Sequence, residues 1–179
     1  EKFDPKSLAA NFFYVSVSGV IESGEVSNEV YLQSKFEIVT GSDWEVVTGQ
    51  TSGCSQKATT SSNMKKNLVW NFPFDVTYRS LNPYGWPQIV VTVLGPDLFG
   101  RSVAKGYGSA HVPTTPGYHE REIYLYKPVP ISRFSAIFGW LRGKEAEYED
   151  PSRVIAKGEG REVTRVETVG KMKIKFHVA

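Results

Sequence analysis

Residues 68–113, LVWNFPFDVTYRSLNPYGWPQIVVTVLGPDLFGRSVAKGYGSAHVP, constrain the fold more than any other stretch of the chain. Leu68, Trp70, Phe72, Phe74, Val76 and Tyr78 recur at every second position, with Asn71, Asp75, Thr77 and Arg79 between them. A strand turns successive side chains to opposite faces, so this alternation describes an antiparallel strand with one buried face. Asn82-Pro83-Tyr84-Gly85 then turns the chain, because proline presets φ and glycine tolerates positive φ. The run Ile89–Leu94 is apolar on both faces and rich in β-branched residues, which suits a central strand. Gly95-Pro96-Asp97 ends it, and a third strand follows. Nothing in this stretch resembles catalytic machinery.

The rest of the chain is consistent with an all-β fold. Phe13, Val15 and Val17 alternate with Tyr14, Ser16 and Ser18 in a first strand ending at Ile21, and the polar 22–29 reads as a loop. Leu32, Phe36 and Ile38 oppose Gln33, Lys35 and Glu37 in a second strand, and Trp44–Thr48 forms a short third. The Ser-, Thr- and Gly-rich 49–67 reads as a loop holding one short strand over 55–61. Ile123 and Leu125 alternate with Tyr124 and Tyr126. After Pro128 and Pro130 the period changes. Phe134, Ile137, Phe138 and Leu141 recur at helical spacing, with Ser132 as N-cap and Gly143 as stop. Toward the C-terminus, 154–156 and 162–169 read as strand, Gly170 as a hairpin turn, and Met172, Ile174, Phe176 and Val178 as a closing strand. The expected fold is thus an antiparallel sandwich of about eight strands with one short amphipathic helix. Residues 1–11 read as an N-terminal arm and 12–179 as one domain, for which 179 residues suffice.

Composition narrows the function. A net charge of +2, with no block of like charge, argues against nucleic acid. Cys54 is the single cysteine and no Asn-x-Ser/Thr acceptor occurs, both of which suit a reducing intracellular compartment. The chain starts at Glu1 rather than Met, so its start says nothing about a targeting segment. His111, His119 and His177 form no closely spaced pair with Cys54 of the kind zinc requires. Gly158-Glu159-Gly160-Arg161 lacks the third glycine and the helix signal of a phosphate cradle, and no Walker loop or G-x-S-x-G elbow occurs. The expectation is a protein that is not an enzyme and carries no cofactor.

Trp70-Asn71-Phe72-Pro73-Phe74-Asp75-Val76, followed by Asn82-Pro83-Tyr84-Gly85-Trp86-Pro87-Gln88-Ile89, resembles the B9-domain family closely. Gly106-Tyr107-Gly108 with His111-Val112-Pro113, and Gly158-Glu159-Gly160-Arg161-Glu162-Val163, share the resemblance, which runs from about Phe12 to the last strand. The resemblance implies a C2-like β-sandwich. It further implies a cytoplasmic component of the Meckel-syndrome complex at the cilium base, in the transition zone and basal body. Such a component is assembled with two B9-domain paralogues, is linked indirectly to transmembrane proteins, and supports ciliogenesis and the barrier that selects what enters the cilium. The family brings no catalytic residues.

Three functional readings follow. The first is a scaffold that binds protein partners. Its candidate contact is Trp140 on the flank of the expected helix, with Arg133, Arg142 and Lys144, since Trp and Arg are enriched at binding hot spots. The second, from the C2 analogy, is calcium-dependent membrane targeting. Calcium needs roughly six to eight oxygen ligands, whereas Asp4, Asp43, Asp75, Asp97 and Asp150 are scattered and only Asp43 and Asp97 fall in plausible loops. The third is calcium-independent lipid contact by Leu98 and Phe99 beside Arg101, against which stands a turn folded back onto the sandwich.

Overall fold

The computed structural model describes residues 12–60, 67–129 and 165–179. They form nine antiparallel strands: β1 (Phe13–Val26), β2 (Tyr31–Val39), β3 (Trp44–Gly49), β4 (Ser52–Thr59), β5 (Leu68–Ser80), β6 (Gln88–Pro96), β7 (Ser102–His111), β8 (Gly117–Pro128) and β9 (Val166–Val178). The strands make one sheet in the order β3-β5-β1-β9-β8-β7-β6-β2-β4. The sheet curls on itself, so that Phe36 of β2 meets Phe74 of β5 with ring centroids 5.6 Å apart. This architecture is consistent with the expected sandwich, its two halves enclosing a core that draws on β1, β2, β5, β6, β8 and β9.

The alternation in β5 is realised as read: Leu68, Trp70, Phe74, Val76 and Tyr78 are buried, and Asn71 and Asp75 are exposed. β6 lies between β7 and β2, as its doubly apolar sequence requires. Ile89, Val91 and Val93 enter the main core, while Val90 joins Ala104 and Tyr107 in a second cluster. The fold between the two halves occurs at β7 and β8, which meet in register only at Tyr107 and Tyr126. A Cβ on Gly108 would stand 3.1 Å from Leu125 and 3.2 Å from Ile123, and one on Gly106 would stand 3.4 Å from Leu125. The two glycines thus leave the room that β8 fills as the sheet closes over the core.

Several expectations are corrected. The described residues hold nine strands rather than about eight, because β4 is a full strand over Ser52–Thr59. The first strand does not stop at Ile21. It continues to Val26 past a register shift between Ile21 and Ser23, where Glu22 is an extra residue against β9 while the extra residue against β5 lies on β5 itself. Its polar residues fooled a hydropathy reading because the Glu22 carboxylate is held by Lys175 and Lys173 of the neighbouring strand. Gly170 is not a hairpin turn. It lies inside β9, between Val26 of β1 and Leu125 of β8, where a Cβ would meet the Glu25 carbonyl oxygen. There the glycine answers close backbone approach, not chain reversal. The expected arm at 1–11, the helix at 132–142, the strand at 154–156, Gly158-Glu159-Gly160-Arg161 and the start of the strand expected at 162–169 lie outside the described residues.

Candidate functional site

The strand directions sort the connections to two ends of the sheet. At one end lie the turn after β2, with Asp43, and the β5–β6 loop with Tyr84; at the other lies the β6–β7 turn, residues 97–101. Asp43 and Asp97, the two aspartates in plausible loops, therefore stand at opposite ends and share no site. Each is also engaged: Asp43 accepts from the Asn82 amide at 2.5 Å, and Asp97 is tied into its own turn. Among the described residues no group of three or more His, Cys, Asp or Glu converges as a metal site.

The β6–β7 turn is built around Asp97. Its Oδ1 accepts from the backbone N–H groups of Phe99 and Arg101, both at 2.8 Å. Its Oδ2 accepts from Arg101 Nε at 2.8 Å and pairs with the guanidinium Nη2 at 2.7 Å. The backbone closes beneath, Asp97 N–H donating to the Arg101 carbonyl at 2.8 Å, and Gly100 takes φ +77°. Burial acts to raise the Asp97 carboxyl; the hydrogen bonds from Arg101 and Phe99 outweigh it and hold the group below the usual carboxylate range. With the ends clamped, Leu98 and Phe99 project, 84% and 73% exposed. The alternative of a turn folded back onto the sandwich is thus overturned. Arg101 is not a free cation beside an apolar tip, since its charge is spent on Asp97 and its guanidinium lies 5.3 Å from the Phe99 ring. A shallow cleft lined by Tyr31, Leu32, Lys57, Leu94 and Pro96 adjoins the turn.

Chain connectivity adds one fact about the other candidates. Arg133, Trp140, Arg142 and Lys144 lie outside the described residues. The chain leaves the described fold at Val129 and re-enters at Arg165, where Val129 N–H donates to the Arg165 carbonyl at 2.7 Å. Both points are at the end of the sheet that carries Leu98 and Phe99.

Two surface regions escaped the sequence reading. The outer face of β1, β8 and β9 carries a ladder of ion pairs: Glu22 to Lys175 at 2.7 Å, Lys173 to Glu120 at 2.9 Å and Lys171 to Glu122 at 3.2 Å. The hydrogen bond from Lys175 leads the effects that lower the Glu22 carboxyl; the matching bonds raise the two lysines, Lys173 through Glu120 and Lys175 through Glu22. Exposed pairs of this kind contribute little to stability, and the face is charge-compensated. The other region is β3, the last strand of the sheet, where every residue after Trp44 is exposed. Beside it Arg79 donates twice to Glu45 Oε2, at 2.8 and 2.6 Å, and lies 4.9 Å from the Phe12 ring. Only the Val46-Val47 pair in sequence could have signalled it, and sheet order is not readable from that.

Comparison with known proteins gives a consistent set of matches. A family model described as "Ciliary basal body-associated, B9 protein" matches residues 15–179. The chain is 46% identical over 166 residues to B9 domain-containing protein 1 of Xenopus laevis, covering 93% of this chain and 83% of that one. It is 45% identical over 172 residues to B9 domain-containing protein 1 of Homo sapiens, covering 96% and 84%. It is also 31% identical over 115 residues to B9 domain-containing protein 2 of Rattus norvegicus, covering 64% of this chain and 65% of that one.

Proposed function

Because this chain belongs to the B9 family of ciliary basal body-associated proteins, we propose that it is a non-enzymatic scaffold of the Meckel-syndrome complex at the ciliary transition zone. In this reading it binds two B9-domain paralogues, reaches transmembrane proteins through them, and supports ciliogenesis and the ciliary membrane barrier. The observation that carries the reading is the similarity to B9 domain-containing protein 1 over nearly the whole chain. The family's name denotes a location and a domain, not a reaction. The exposed features of the fold, an apolar turn and an apolar edge strand, are surfaces for binding. A tagged chain expressed in ciliated cells is expected to concentrate at the cilium base and to co-purify with both paralogues. A diffuse, unpartnered protein would contradict the reading.

The exposure of Leu98 and Phe99 favours a second reading, contact with a membrane surface without calcium. With Arg101 neutralised by Asp97, that contact rests on apolar insertion and depends little on anionic lipid. Sedimentation with neutral and anionic vesicles, comparing the parent with Leu98→Ser/Phe99→Ser, tests it: equal sedimentation of the two would remove this reading.

A further inference from the structure

Among the described residues, the outer edge of β3 is the place where backbone chemistry names its own partner. β3 pairs with β5 through Trp44–Ser80, Glu45–Arg79, Val46–Tyr78, Thr48–Thr77 and Gly49–Val76. On its other side no strand follows among the described residues. A sheet edge presents unpaired N–H and C=O groups, which match only another extended chain. Proteins usually blunt such edges; β3 carries only the register shift between Val46 and Thr48, and the other edges are covered or broken. β4, at the far end of the sheet, is folded against β5, and its Gln56 side chain donates to the Trp70 carbonyl at 2.6 Å. The stretch of β5 beyond the reach of β3 carries Pro73 and a left-handed Asn71, at φ +45°. β3 has no proline and no lysine. It offers Val46 and Val47, each 50% exposed, at a register shift that places both opposite the short stretch Thr77–Tyr78. That shift limits the edge to a short pairing, so neighbouring side chains must add to it. Glu45 is in place on the edge strand itself, held from behind by Arg79 of β5, which in turn lies against Phe12 and pairs with Tyr14 of β1.

Building on the scaffold reading above, we infer that the β3 edge receives an extended segment of a B9-domain paralogue, added as a further strand next to Val46 and Val47. Backbone pairing supplies the direction and the valines an apolar contact. Glu45, the charged side chain on β3 itself, favours a polar or basic residue at the facing position of the incoming strand.

The test uses the purified chain with the B9 domain-containing protein 2 of the same organism. Amide exchange in peptides spanning 44–49 is expected to slow about tenfold or more in the complex. The double variant Val46→Lys/Val47→Lys is expected to weaken binding about tenfold or more, with an unchanged melting temperature. A complex that forms with unchanged exchange in β3, and with the lysine variant binding like the parent, would overturn the inference and leave the scaffold reading standing. Failure of the parent to bind the paralogue at all would overturn the partner reading and this inference together. Should the lysine variant lose its fold, the exchange measurement on the parent decides alone.

Discussion

β4 and β3 are the two ends of one sheet, and both lie against β5, yet they treat it differently. β3 joins β5 by a backbone ladder. β4 approaches the other stretch of β5 by side chains, Gln56 donating to the Trp70 carbonyl and Gly53 lying where a Cβ would stand 3.2 Å from the Phe72 ring. The neighbouring β2 adds the Leu32 carbonyl, which accepts from Trp70 Nε1 at 3.2 Å, and Phe36, which meets Phe72 at 5.9 Å. The β4 edge thus turns toward β5 as the sheet closes, whereas the β3 edge is left facing outward. The difference teaches that a curled sheet does not cancel its two edges equally. The edge turned toward β5 is a structural seam, and β3 beyond Trp44, its one core residue, is open for recognition.

The largest expected effect lies at the seam. Trp70 is buried, carries the bond to Leu32, and packs where a Cβ on Gly24 would come within 2.8 Å of its ring. Trp70→Ala is expected to cost about 3–5 kcal/mol, measured by urea denaturation; a variant that unfolds with its parent would place the ring outside the core.

The β3 side of β5 makes a contrasting prediction through pH. Tyr78 is buried edge-on to Trp44, with ring centroids 6.2 Å apart, and its hydroxyl finds no hydrogen-bond partner among the described residues. Burial pushes the phenol up to about 12. Since the unfolded phenol ionises near pH ~10, the folded state favours the neutral form. The stability this contributes is present below that pH and is lost as pH rises toward about 12. Tyr78→Phe removes an unpaired hydroxyl, so its stability at neutral pH is expected to match or slightly exceed the parent's while its alkaline loss shrinks. Melting curves across alkaline pH check both, and an unaltered alkaline profile in the phenylalanine variant would assign the loss elsewhere.

A smaller effect separates the seam from the ladder. Gln56→Ala deletes the bond to the Trp70 carbonyl without touching the core and is expected to cost about 1 kcal/mol. A cost near zero would mean that β4 is held by its ladder to β2 alone.

Legibility in the sequence followed the range of the forces involved. The faces of β5, β6 and β8 were readable because period-two alternation is local and the core enforces it. β1 past Ile21 and β9 through Gly170 were not. In β1 a polar run is made strand-like by lysines more than a hundred positions away, and in β9 a glycine that serves close strand approach carries the same signal as a turn glycine. At the candidate site, the exposed pair Leu98 and Phe99 was readable as one of two outcomes. The clamp of Arg101 on Asp97 spans only four residues, but a turn had to form before the spacing meant an ion pair. The β3 edge depended on sheet order, which is a property of the whole chain. Trp140 and its companions Arg133, Arg142 and Lys144 lie outside the described residues.

The difference between the two edges is tested most directly by amide hydrogen exchange of the free protein. At the seam, the amides of 52–59 bonded to β2 and those of 68–75 bonded to β1 are expected to exchange only through global opening, as do β1 and β9. Within residues 44–49, the amides directed away from β5 are expected to exchange orders of magnitude faster than those of the seam. Uniform protection of 44–49 at the level of β1 would contradict an open β3 edge and remove the distinction on which the recognition surface rests.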